Sequence, residues 1–168
     1  MNLNTMDSLF EHDVHDLYSA EKQILEALPE MISEASSPDL RSAFQRHLAV
    51  TERQLERLQG VMHVLGIKPN GVVCKGMKGL LDEGKEIIEA EDDPSVKDAA
   101  LIGAAQRVEH YEIAAYGTAR AFARELGFAD IARSLEMTLQ EEGDTDHELS
   151  GLAEGSLFRS GINDGARQ

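Results

Sequence analysis

The amino-acid sequence predicts an all-α protein: a four-helix bundle made of two antiparallel hairpins, joined by a long crossover that carries a short extra helix. Three observations carry this prediction. Four long segments repeat apolar residues in steps of three and four, the period of one helix face. Aromatic residues make up 5% of the chain and tryptophan is absent, while Ala, Leu, Glu and Met are plentiful, a composition suited to helices more than sheets. The punctuation between the segments runs short, long, short. At 168 residues the chain has room for one domain able to bury a sizeable core.

The first stripe is Phe10, Val14, Leu17, Glu21, Ile24, Leu28 and Met31. Pro29 lies inside it and removes a backbone donor, so a bend or fraying is expected near Leu25, and the helix should end by about Ala35. Ser36 to Asp39 read as a tight turn, with Ser37 as N-cap and Pro38 in the first helical position. The second stripe runs Leu40, Phe44, His47, Thr51, Gln54, Leu58, Val61, Leu65 and closes at Gly66, a residue suited to a helix C-cap. Gly66 to about Gly76, with Pro69 and Asn70, form a loop, after which Met77, Leu80, Leu81, Ile87 and Ile88 outline the short amphipathic helix that ends before Glu91. Asp93 and Pro94 open the third long helix, whose stripe is Ile102, Ala105, Glu109, Glu112, Tyr116, Ala119 and Ala123 and which ends at Gly127. The fourth carries Ile131, Leu135, Thr138, Glu142, Thr145, Leu149 and Leu152. Two hairpins joined by one crossover, at about residues 66–94, is the connection pattern of ferritin-like bundles. The bundle should span residues 1–153, and residues 154–168, rich in Gly, Ser, Asn and Asp and without a stripe, are expected to form a loose tail.

Charge narrows the partners. A net charge of −15 argues against a phosphate backbone or an anionic membrane surface as ligand. Cys74 is the one cysteine, so neither a disulfide framework within the chain nor a thiolate zinc site is expected. Met1 to Asp16 lack a basic segment leading into an apolar one, and no apolar run approaches membrane-spanning length; a cytoplasmic location is expected. A homodimer is also expected, since the apolar face of the crossover helix needs cover, from a second copy or from its own bundle.

Glutamates interrupt three of the four stripes: Glu21, the pair Glu109 and Glu112, and Glu142, while the second stripe offers His47. A lone glutamate in an apolar stripe is usually a boundary residue whose carboxylate reaches solvent. These, however, agree in depth. Glu21 precedes its turn by the distance at which Thr51 follows it, and Glu112 and Glu142 flank Gly127 equally, so all four lie roughly 22 Å from a turn. Glu109 and His47 are about one helical turn from that layer. Burial can displace an unpaired carboxylate's pKa by up to about 3–5, so four would cost on the order of 15 kcal/mol, against a net domain stability of about 5–15 kcal/mol. Protons, basic partners or a metal must offset this. The inner stripes carry no Lys or Arg at these depths, and hard oxygen donors with an imidazole suit iron or manganese.

The stretches Leu17 to Gln23 (LYSAEKQ), Phe44 to Gln54 (FQRHLAVTERQ), Asp98 to Thr118 (DAALIGAAQRVEHYEIAAYGT) and Thr138 to Asp146 (TLQEEGDTD) resemble the YciE/YciF family of bacterial stress-response proteins, which are ferritin-like and related in their helical core to rubrerythrins. That resemblance implies metal ligands at Glu21, Glu109, Glu112 and Glu142, with Asp146 standing where rubrerythrins have a histidine. The second helix departs from the family pattern, with Val50 before Thr51 where a glutamate tends to stand. Glu52 points about 200° away from Val50, which leaves His47 as that helix's donor. Iron, with manganese as the alternative, is expected at one or two ions per chain. His110, about 100° around the helix from Glu109, is expected to face a neighbouring helix or solvent, and Tyr116 to be either core or a hydrogen-bond partner of a ligand carboxylate.

Two functions follow as expectations. One is a stress-response protein whose carboxylate site reacts Fe(II) with peroxide or oxygen. The other is a non-enzymatic stress or interaction protein whose site is mononuclear, degraded or empty, held by protons and hydrogen bonds. No residue is assigned a catalytic role from sequence.

Overall fold

A computed structural model of the chain describes residues 4–69, 71–90, 93–156 and 159–167. Asn70 and Glu91, read above as loop residues of the crossover, lie outside these. The fold is the all-α bundle predicted: α1 (Met6–Glu34), α2 (Pro38–Leu65), α3 (Lys75–Glu89), α4 (Pro94–Glu125) and α5 (Ala129–Glu154). α1 pairs with α2 and α4 with α5, the two hairpins close through α1 on α4 and α2 on α5, and the crossover helix α3 lies against α1 and α4. None of these helices is long and apolar enough to cross a membrane.

The local signals account for the boundaries. Thr5 and Ser8 cap α1 reciprocally, each side chain accepting the other's backbone N–H at 3.1 and 3.2 Å. α1 continues through Pro29 to Glu34. Ser37 accepts from Leu40 N with Pro38 in the first turn, and Asp93 accepts from Ser95 N and Val96 N ahead of Pro94. Gly66 closes α2 at φ +68°, the left-handed conformation that costs glycine nothing. A buried carboxylate joins the halves: Asp98, near the start of α4, accepts from Ser36 N at 2.8 Å and Ser37 N at 2.7 Å in the α1–α2 turn. The start of α3 is held as firmly, with Cys74 N donating to Ser19 Oγ at 2.9 Å and Gln23 Nε2 donating to Cys74 O at 3.1 Å.

The apolar face of α3 is used within the chain: Met77 is fully buried, and Leu80, Leu81, Ile87 and Ile88 pack on the core. These four remain partly exposed, so the face is covered in part from within the chain. Among the described residues after Glu154, short elements form in place of the expected loose tail. Gly155 and Ser156 (β1) pair antiparallel with Ser160 and Arg159 (β2), and a one-turn helix α6 (Ile162–Gly165) packs on α4 and α5. Gly161 is what allows this return, since a Cβ there would lie 2.3 Å from Ala153 O. Such a fit between one glycine and one carbonyl has no periodic signature in sequence.

Two apolar clusters fill the bundle, one around Ile24, Phe44, Ile102 and Leu149, the other around Phe10, Leu58, Tyr116 and Leu135. Along every long helix the predicted polar positions fall between its contributions to the two: Glu21, His47 to Gln54, Glu109 and Glu112, and Glu142. The core is thus divided by a polar layer.

Candidate metal centre

Each functional side chain in that layer is placed by the same device. A helix that buries apolar residues one or two turns above and below has no freedom to rotate the intervening position outward. Glu21, Glu112 and Glu142 are completely buried, Glu109 is 1% exposed and His47 5%. They form two groups of three. One ligand atom each from Glu21, Glu112 and Glu142 lie within 4.8 Å of one another, and so do atoms of His47, Glu109 and Glu142. Glu142 belongs to both. His47 Nε2 is 3.3 Å from Glu109 Oε1.

The hydrogen bonding of this ring is incomplete. Tyr116 donates its hydroxyl to Glu21 Oε1, and Gln54 Nε2 donates to Glu142 Oε1. Among the described residues, nothing satisfies Glu21 Oε2, Glu142 Oε2, either oxygen of Glu109, either oxygen of Glu112, His47 Nδ1 or Gln54 Oε1. Buried polar atoms normally find partners, and a concentration of unpaired oxygens facing one another singles out this ring as the candidate site. Burial, reinforced by the charge of Glu142, raises Glu21, Glu109 and Glu112 well above the ordinary carboxylate range. Glu142 rises to about 7, again chiefly through burial, opposed by the adjacent Glu109 carboxyl, by the hydrogen bond from Gln54 and by the Arg57 charge. Burial lowers His47 to about 4, so its imidazole is neutral and free to donate a lone pair near neutral pH.

The sixth expected residue is displaced. Asp146 stands one turn after Glu142, but its shorter side chain turns to the α4 surface, where it accepts from Gln106 Nε2 at 3.1 Å and lies 3.4 Å from the exposed His110. It belongs to neither group of three. His110 faces outward as expected, Tyr116 is the partner of a ring carboxylate, and Thr51 turns its hydroxyl to His47 O at 3.0 Å.

Arg57 and Glu141 were missed by sequence reasoning. Arg57, largely buried, holds Glu141 through both guanidinium nitrogens at 2.8 and 3.1 Å and also donates to Thr138. A basic partner therefore does stand beside the ring, reached by a long side chain from a boundary position. Gln54, which donates to Glu141 Oε2 at 3.2 Å, is three residues before Arg57, and that spacing on one edge of α2 opposite two adjacent glutamates was the available signal. Val50 lines a cavity of about 220 Å³ beside His47 and Glu109, between α2, α4 and α5.

Comparison with known proteins places this geometry in a family. The family model described as a domain of unknown function (DUF892) matches residues 5–162. Protein YciF of Escherichia coli (strain K12) is 42% identical over 164 residues, which cover 97% of this chain and 99% of that protein. The crystal structure of the E. coli stress protein YciF superposes with a TM-score of 0.89 at 40% identity, covering 99% of this chain and all of that one. YcfI from Rhodopseudomonas palustris gives a TM-score of 0.86 at 45% identity over 90% of this chain and 97% of the other.

Proposed function

The chain belongs to the DUF892 family, and on that footing we propose that its polar layer is a binding site for two divalent iron ions, used to consume peroxide or oxygen in a stress response. The observation that carries this is the sharing of Glu142 between two three-residue groups whose remaining oxygens are unpaired and buried. Oxygen donors with one neutral imidazole fit iron or manganese, and a carboxylate common to both groups fits two ions side by side. Thiolates, which a structural zinc site would favour, are absent from both groups.

A bound iron pair would supply two electrons and open coordination positions for a small oxidant. The protein's part is to hold and insulate. Glu21 and Glu112 would retain one ion, His47 and Glu109 the other, and Glu142 both. Tyr116 fixes the orientation of Glu21 by donating to it, Gln54 does the same for Glu142, and the two apolar clusters keep bulk water from the ring. The stress role follows the relative, E. coli YciF being described as a stress protein.

The competing reading keeps the bundle and fills the layer with protons. Val50 favours it, because α2 then contributes a histidine and no carboxylate, and so do the raised carboxylate pKa values. Anaerobic titration with Fe(II) separates the two. We expect about two ions per chain, followed by peroxide-dependent oxidation of the bound iron. One ion or fewer removes the dinuclear site, and a melting temperature indifferent to chelator favours the protonated ring. Metal analysis of protein purified without chelator decides between iron and manganese.

A further inference from the structure

We propose that the cavity at Val50 is the port through which a divalent cation reaches the ring. The port presupposes the metal ring proposed above and adds the route to it. The floor of the cavity is formed by His47 and Glu109, the latter 1% exposed with both carboxylate oxygens lacking a hydrogen-bond partner. Its walls are small or apolar: Ala43, Val50, Ala105 and the half-buried Thr145. Three acidic residues of α5 also line it: Glu141, which Arg57 holds, Glu148, which is paired with Arg46 of α2, and the exposed Asp144, whose charge leaves the mouth net negative. An acidic mouth leading over low-polarity walls to unpaired carboxylate oxygens concentrates cations at the opening and gives them a destination at the bottom. The Arg46–Glu148 pair spans the mouth from α2 to α5. With both side chains about half exposed, it is weak enough to open and close freely.

The residue at position 50 decides the width of this route. Val50 is half-buried on the cavity wall and stands directly before Thr51, one turn after His47. A longer acidic side chain at position 50 would occupy part of the cavity; valine leaves that space open. The substitution that removes one expected ligand thus also clears the approach to the two that remain on this side. A second cleft, between α1 and α4, carries Asp13 and Asp16 but is lined by none of the five ring residues, with Leu17 and Tyr111 at its wall. Acidity is therefore shared by two clefts, of which only the one at Val50 touches the ring; a further pocket that reaches His47 and Glu109 has only about 10 Å³ and no acidic mouth.

Stopped-flow binding of Co(II) tests the port, because the visible absorption of the ion reports when it acquires protein ligands. The substitutions are Val50→Phe, the pair Asp144→Asn with Glu148→Gln, and Ala114→Phe in the other cleft. We expect Val50→Phe to lower the association rate at least tenfold while the Co(II) bound at equilibrium stays that of the native chain. The charge pair should lower the rate several-fold and flatten its dependence on salt. Both residues are exposed, so this arm holds even if phenylalanine at position 50 disturbs folding. Ala114→Phe should bind at the native rate. Native association rates in Val50→Phe and in the charge pair, with full binding, overturn the port and leave the ring standing; slowing by Ala114→Phe overturns it in favour of the second cleft. A native chain that binds no Co(II) overturns both.

Discussion

Replacing Glu142 by glutamine should make the metal-free protein more stable and at the same time deprive it of both proposed metal positions. Glu142 is fully buried, and its carboxyl titrates at about 7 in place of 4.5. The folded state therefore holds this proton more tightly than the unfolded chain does. Its contribution to stability is fully present below pH 4.5 and is lost as pH rises through 7. That interval corresponds to about 3 kcal/mol, at ~1.4 kcal/mol per pH unit. Glutamine does not titrate and keeps an oxygen to accept from Gln54. The variant should thus match the native chain near pH 4.5 and exceed it by about 3 kcal/mol at pH 8, or roughly 6–12 °C in Tm for a domain of this size. His47, which titrates in the opposite sense below its ordinary value, is present in both proteins and cancels in the difference. Denaturant titrations of chelator-treated protein at the two pH values measure the gain. Because Glu142 serves both groups of three, Fe(II) binding should fall from about two ions per chain to below one, whereas Glu112→Gln should leave the His47 side occupied. A Glu142→Gln protein that is less stable at pH 8, or that binds the native number of ions, would refute this reasoning.

Two further outcomes test the supports of the ring and of the bundle. Tyr116→Phe removes the donor to Glu21 and leaves a buried carboxylate oxygen unsatisfied, which should cost about 1–3 kcal/mol in denaturant unfolding and weaken metal binding on the Glu21 side. Asp98→Asn replaces a carboxylate that accepts two backbone N–H groups by an amide with one acceptor oxygen; we expect a loss of about 2 kcal/mol and faster hydrogen exchange at Ser36 and Ser37.

Much of this molecule was legible in the order of its residues, and the parts that were not share a physical cause. Helical periodicity reports which positions face inward, so the stripes through Glu21, Glu109, Glu112 and Glu142 identified both the helices and the polar layer dividing the core. Capping chemistry is local, which is why Ser37, Gly66 and Asp93 fell where their residue types required. Periodicity is blind to reach. Arg57 enters the layer from a boundary position because its side chain is long, and Asp146 fails to enter because its side chain is short and Gln106 captures it. The C-terminal ladder and α6 depend on the close approach of Gly161 to the end of α5, a contact made by shape alone.

The carboxylate of Asp98 also acts as a ruler. It ties the start of α4 to the turn of the other hairpin, 61 and 62 residues away in sequence, and so helps fix the axial alignment of the two hairpins from their far end. A slip of one helical turn would displace Glu112 and Glu142 by about 5.4 Å relative to Glu21. That exceeds the 4.8 Å within which the ring atoms lie. A residue some 20 Å from the polar layer, contributing nothing to its chemistry, thereby sets whether its two halves meet at all.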